Sequence, residues 1–294
     1  MNYQEQPHVF NCRDCRLIGI TTLANQASKL GVLIIVGGPQ YRSGSHRQFT
    51  LLARYLANNG IPTFRFDYRG MGDSEGEIRS FENIHDDIHA AINAFVLSSE
   101  SLTRIVIWGL CDAASATLLY AQTDSRVVGI ILLNPWVHTT KSADQIKLKY
   151  YYLPRLLKQS FWSKLFHGNI GIMGTLNEVT DTIIRMLKNK LLHKKTSRHP
   201  SRHENLSFIE GMLKGLTNFH GKVLIILSEN DLISQEFQQL INTNKRWALV
   251  CANAKIDKEL IKNANHTFSS SLWRSKVNDV TLDWLNRNKD IFDK

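Results

Sequence analysis

The chain has 294 residues, 43% hydrophobic and 21% charged, which suits a globular protein with one large α/β domain carrying an insertion, or two small domains. It has no apolar run long enough to span a bilayer, too few cysteines (four) for a disulfide framework, and no basic or apolar leader, so a cytoplasmic protein is expected. The formal charge of +10 speaks to partners rather than to chemistry.

Cys12-x-x-Cys15 comes first, ahead of an expected first strand over Arg16 to Thr22. A structural zinc site needs four ligands and no second pair is in sight, so these read as incidental cysteines; no metal and no cofactor are expected. Val32 to Val36 is a five-residue aliphatic run, suited to a strand buried on both faces, and it stops at Gly37-Gly38-Pro39. Phe49, Leu52, Ala53 and Leu56 recur at helical spacing between His46 and Asn59. Thr63 to Phe66 reads as a strand, and Asp67-Tyr-Arg-Gly-Met-Gly-Asp-Ser-Glu-Gly76 as a loop that supports the site. Ile84, Ile88, Ala91 and Phe95 mark a second helix. Ile105 to Trp108 is a strand, Asp112 opens a helix, and Val127 to Leu133 is a strand ended by Asn134-Pro135. Later, Val223 to Leu227 and Trp247 to Cys251 read as the last two strands, and Leu272 to Leu285 as a closing helix. Strands alternating with helices imply an α/β fold, a mostly parallel sheet covered on both faces.

The rhythm breaks between the strand ending at Leu133 and the one starting at Val223. Residues 138–208 read as a helical lid inserted into a core formed by 1–137 and 209–294. Residues 141–203 hold 13 Lys+Arg against 3 Asp+Glu, a net of +10, so the rest of the chain balances to zero. Lys147-Leu-Lys-Tyr-Tyr-Tyr-Leu-Pro-Arg-Leu-Leu-Lys158 interleaves aromatics with cations. That composition suits an anionic membrane surface, reached peripherally, or an acidic carrier. Nucleic acid is disfavoured as a partner, because no recognised binding motif accompanies the charge. The oligomeric state is not readable.

Cys111 lies between strand and helix, with Gly109 two residues before it and Ala113 two after. This is the layout of a nucleophile elbow, G-x-S-x-G, with Cys for Ser and Ala for the second Gly. Small neighbours let strand and helix approach while the turn aims the nucleophile at the helix N-terminus, whose free N–H groups stabilise a developing oxyanion. A nucleophile needs a base and the base an orienting acid, which follow in the order acid, then His. Asp231, in Ser228-Glu-Asn-Asp-Leu232, and His266, in Asn263-Ala-Asn-His-Thr-Phe268, fill those places, with Glu229 a rival for the acid. One oxyanion donor is expected from the Asp112 N–H. The other is expected from the loop after Val36; Pro39 has none to give, which leaves Gly38 or Gln40. Arg42 and His46 in that loop could face the substrate.

In this order the Gly37-Gly38 loop, the Asp67–Ser74 loop, the Cys111 elbow, Asp231 and His266 resemble the α/β-hydrolase superfamily. Gly37-Gly-Pro-Gln-Tyr-Arg42, Gly109-Leu-Cys-Asp-Ala-Ala-Ser-Ala116 and Asn265-His-Thr-Phe268 resemble, more narrowly, the bacterial exosortase A system-associated hydrolase 1 family. That resemblance implies a cytoplasmic protein linked to exopolysaccharide and protein sorting. The expected activity is a hydrolase of a small acyl ester or thioester, working through Cys111, His266 and Asp231 and an acyl-enzyme. An acyltransferase with the same residues, or a non-catalytic adaptor on a hydrolase fold, are the alternatives.

Overall fold

The structure, a computed structural model, describes residues 3–38, 40–137 and 201–292, with the backbone alone for 201–207. Eight strands form one sheet: β1 (Tyr3–Cys12), β2 (Cys15–Ala24), β3 (Leu30–Ile35), β4 (Thr63–Phe66), β5 (Arg104–Leu110), β6 (Val127–Leu133), β7 (Lys222–Ser228) and β8 (Ile256–Ile261). Their order across the sheet is β1-β2-β4-β3-β5-β6-β7-β8. β1 pairs antiparallel with β2, and β2 with β4; the pairs from β4 to β8 are parallel. The described helices are α1 (Gln48–Asn58), α2 (His85–Leu97), α3 (Asp112–Tyr120), α4 (Ser201–Asn218), α5 (Leu232–Thr243), α6 (Lys245–Cys251), α7 (Ser271–Arg287) and α8 (Lys289–Phe292).

The two-residue period of a strand explains why the central strands are apolar throughout. Leu33, Ile35, Ile105, Ile107, Ile130, Leu132, Val223 and Ile225 join one core cluster, with Ile88 and Phe95 of α2, Leu118 of α3 and Met212 and Leu216 of α4. The residues between them, Val32, Ile34, Val106, Trp108, Ile131, Leu133, Leu224 and Ile226, join the other, with Phe49 and Leu52 of α1 and Val277 and Leu285 of α7. Two helical layers thus bury opposite faces of one sheet. From β3 the chain steps outward to β4 and then returns on the other side to β5. The loops that leave the C-terminal ends of β3 and β5 therefore diverge at the sheet's switch point, the edge where ligands gather in open α/β sheets.

Trp247 to Cys251, expected as the last strand, is helix α6, and the last strand is Ile256–Ile261. Asn244 caps α6, its side chain accepting from Arg246 N and Trp247 N at 3.0 and 3.4 Å. Trp247 and Cys251, four apart, are buried while Leu249 is exposed, a helical face rather than an alternation. β8 escapes the eye because its middle, Asp-Lys-Glu, is charged; it is an edge strand, where charge blunts further pairing. The sequence reading also set Cys12 and Cys15 ahead of the first strand. They instead flank the tight turn between β1 and β2, directly opposite one another as free thiols.

Met1–Val137 and Phe208–Lys294 form one compact unit. Phe208, expected in the insertion, is buried here against Phe81, ring centroids 5.5 Å apart. The basic lid expected over 138–208 falls, as far as residue 200, outside the described residues.

Candidate active site

Strand β5 ends at Leu110, and α3 starts two residues later. Between them Cys111 sits at φ 63°, ψ −125°, in the positive-φ region that L-residues avoid. The strain is held by its neighbours. Cys111 N donates to Leu133 O at 2.8 Å, and Cys111 O accepts from Ala114 N and Trp136 N at 3.0 and 3.2 Å. A Cβ on Gly109 would lie 2.7 Å from the Ala113 carbonyl, so strand and helix approach this closely only over glycine. Ala113, in place of the motif's second glycine, is accommodated and buried.

Asp231 follows β7 and caps α5, its carboxylate accepting from Ile233 N and Ser234 N, each at 3.2 Å. Its Oδ2 also accepts from His266 Nδ1 at 2.8 Å. The loops after β7 and β8 are tied together by Glu229 N to Ile261 O and Asn230 N to Ala264 O, which brings the two side chains into reach. Glu229, the rival acid, is taken by Asn263 N at 2.7 Å. Cys111 lies close enough to His266 to favour the charged ring, while Nδ1 is taken by Asp231. Burial works against a charge on His266, but its hydrogen bonds to Asp231 and Cys111 and the attraction of both push its pKa up from 6.5 to about 10. Three residues 155 positions apart in sequence at the extremes, Cys111, Asp231 and His266, thus come together at one place, the last two hydrogen-bonded to each other.

The β3 loop reaches the same place, but its donors are occupied. Gly38 N donates to Asp112 Oδ1 at 2.7 Å, and Gln40 N donates to Gly38 O at 2.8 Å. Gln40 Oε1 braces Ser45 N at 2.8 Å. Arg42, one of the two residues that could face substrate, joins two loops. Its backbone N donates to Asp67 Oδ1 at 2.6 Å, and its guanidinium binds Asp67 and, at 2.7 Å, Asp73. His46 lies at φ 53° in the turn that leads into α1, and among the described residues its side chain has no hydrogen bond to the Cys111 centre. A cavity of about 390 Å³ between α1 and α7 is lined by Tyr55, Trp108, Phe268 and Arg274, but not by Cys111 or His266.

Sequence reasoning passed over Asn134. Fully buried at φ 43°, it bonds Ser228 N through Oδ1 at 2.9 Å, and Ser228 Oγ and His266 O through Nδ2 at 2.8 and 3.1 Å. It therefore locks the His266 loop to the ends of β6 and β7. The one signal available was its position, an Asn directly after a buried strand.

The family model for serine aminopeptidase, S33 (Hydrolase_4) matches residues 28–272, which take in Gly38, Cys111, Asp231 and His266. The chain belongs to this α/β-hydrolase family. Among curated relatives, the polyketide transferase grgF of Penicillium sp. is 30% identical over 100 residues, 32% of this chain and 33% of that protein. The uncharacterized protein YcjY of Escherichia coli K12 is 33% identical over 108 residues, 32% and 35% of the two chains. The matched stretch spans about a third of the length of these curated relatives. Among solved structures, the Pyrococcus furiosus esterase Pf2001 superposes with a TM-score of 0.63 at 14% identity, covering 97% of this α/β-hydrolase and 93% of the esterase. The Anabaena variabilis dienelactone hydrolase gives 0.60 at 12%, covering 98% and 99%. At such identities the likeness is one of fold. No described helix of this α/β-hydrolase family member is long and apolar enough to cross a membrane.

Proposed function

We propose that this hydrolase cleaves an ester or thioester through an acyl-enzyme on Cys111, with His266 as base and Asp231 as the acid that orients it. The observation that carries this reading is His266 itself, hydrogen-bonded to Asp231 through Nδ1 and close enough to Cys111 for the sulfur to favour the charged ring. With the proton held on His266, the Cys111 sulfur attacks the acyl carbonyl. An S–C bond forms, the bond to the leaving group breaks, and His266 hands the proton to the leaving group. Water, deprotonated by His266, then cleaves the S–C bond and the sulfur regains its proton.

A sulfur nucleophile at a position named for serine favours thioesters and activated esters over peptides. The resemblance to the exosortase A-associated family belongs to the same proposal, and with it a role near exopolysaccharide export. Transfer of the acyl group to an alcohol or amine instead of water is the second reading, favoured by a relative that is a polyketide transferase. A pure adaptor would have no use for the Asp231–His266–Cys111 chain.

The test is intact-protein mass spectrometry after prolonged incubation with p-nitrophenyl butyrate and with a butyryl thioester. An adduct of butyryl mass is expected on the wild type and not on Cys111→Ala. No adduct on Cys111, with iodoacetamide labelling it no faster than Cys15, would sink the proposal.

A further inference from the structure

We infer that the Asp112 side chain is the resting occupant of the oxyanion hole, and that an acyl group reacts at Cys111 only when its binding displaces that carboxyl group. The inference deepens the proposed function and rests on it. An oxyanion beside Cys111 needs donors from the residue after the nucleophile and from the β3 loop. The β3-loop donor is already engaged: Asp112 Oδ1 accepts from Gly38 N at 2.7 Å, and the first N–H groups of α3 favour the charged form of the same carboxyl group.

The fit is built on both sides. A Cβ on Gly37 would run into Asp112 Oδ1 and the Leu110 carbonyl, so the β3 loop closes over the carboxyl group only because residue 37 is glycine. Asp112 stands first in α3, where unpaired N–H groups and the helix dipole favour an anion. It is half-buried: burial pushes its pKa up, against the pull of those N–H groups and of nearby His266. A negative carboxylate held there competes for the donors and repels the charge that acylation develops. A substrate must supply contacts elsewhere to move it, which makes Asp112 a selectivity filter. Small activated esters have little to offer and react slowly. Acyl groups on a larger carrier react readily.

The test separates two reactions of the same sulfur. Acylation by p-nitrophenyl acetate passes through an oxyanion, whereas alkylation by iodoacetamide does not. In Asp112→Ala, acylation of Cys111 should rise about tenfold or more, from freeing donors that are each worth as much as a hundredfold in such sites, while alkylation stays within about twofold of wild type. Asp112→Asn keeps an acceptor for Gly38 N without the charge, and should fall between; it also carries the comparison if the alanine variant fails to fold. Acylation that is unchanged or slower in both variants overturns the inference, as does alkylation that rises in step with acylation. If Cys111 alkylates but no variant acylates, the proposed function falls, and this inference with it.

Discussion

His266 answers two opposed demands. Burial would strip its proton, yet Asp231 and Cys111 hold it, and the balance goes to the charged partners, raising its pKa from 6.5 to about 10. A group whose folded value lies above its unfolded one stabilises the fold while it is protonated. That contribution is complete below pH 6.5 and fades as pH rises through about 10. Unfolding free energies of wild type and His266→Gln, measured by urea between pH 6 and 10, should therefore differ most at the acid end and converge toward pH 10. A gap that stays constant with pH would show that His266 is not held as an imidazolium. At this scale much was readable. Cys111, Asp231 and His266 follow from spacing and order, whereas the engagement of Gly38 by Asp112, the clamp made by Arg42, and the hub at Asn134 are contacts between residues 25 to 132 positions apart, which spacing does not encode.

Among the elements, the loop after β4 owes its shape to a buried ion pair. Arg69 donates to Asp87 of α2 through Nε and Nη2 at 2.9 and 2.7 Å and through its backbone N at 2.9 Å; both residues are buried. Replacing such a pair with apolar groups is often harmless, but removing one member strands the other. Asp87→Ala should cost about 3–5 kcal/mol, read as a lower denaturant midpoint at unchanged slope. A loss below about 1 kcal/mol would mean that water reaches the guanidinium. Thr63–Phe66, with two phenylalanines, and Val127–Leu133, a strong aliphatic run, form strands over the residues expected of them. Trp247–Cys251 misleads because five apolar or small residues are too few to separate a period of 2 from one of 3.6, and the decision falls to the Asn244 cap.

Across the whole molecule, the charge is unevenly spread along the chain. The entire net charge of +10 is matched by residues 141–203, where a run of three tyrosines, Tyr150–Tyr152, is flanked by Lys147, Lys149, Arg155 and Lys158. If that stretch meets an anionic surface, the protein should co-sediment with vesicles rich in phosphatidylglycerol at low salt. Binding should fall steeply as salt approaches about 0.5 M, where screening extends only a few ångströms, and neutral vesicles should not bind. Co-sedimentation that ignores lipid charge would remove the membrane from the partners.

The α/β class, the parallel centre of the sheet and the three residues of the Cys111 centre were within reach of the sequence. Aliphatic runs, turn glycines and motif order are local properties, and burial on two faces leaves them little freedom. The switch point between β3 and β5, the N–H groups closed by Asp112 and the locking of the His266 loop by Asn134 were decided by tertiary structure. Each depends on which strand ends become neighbours, and that is settled by packing across the sheet rather than by any stretch of chain.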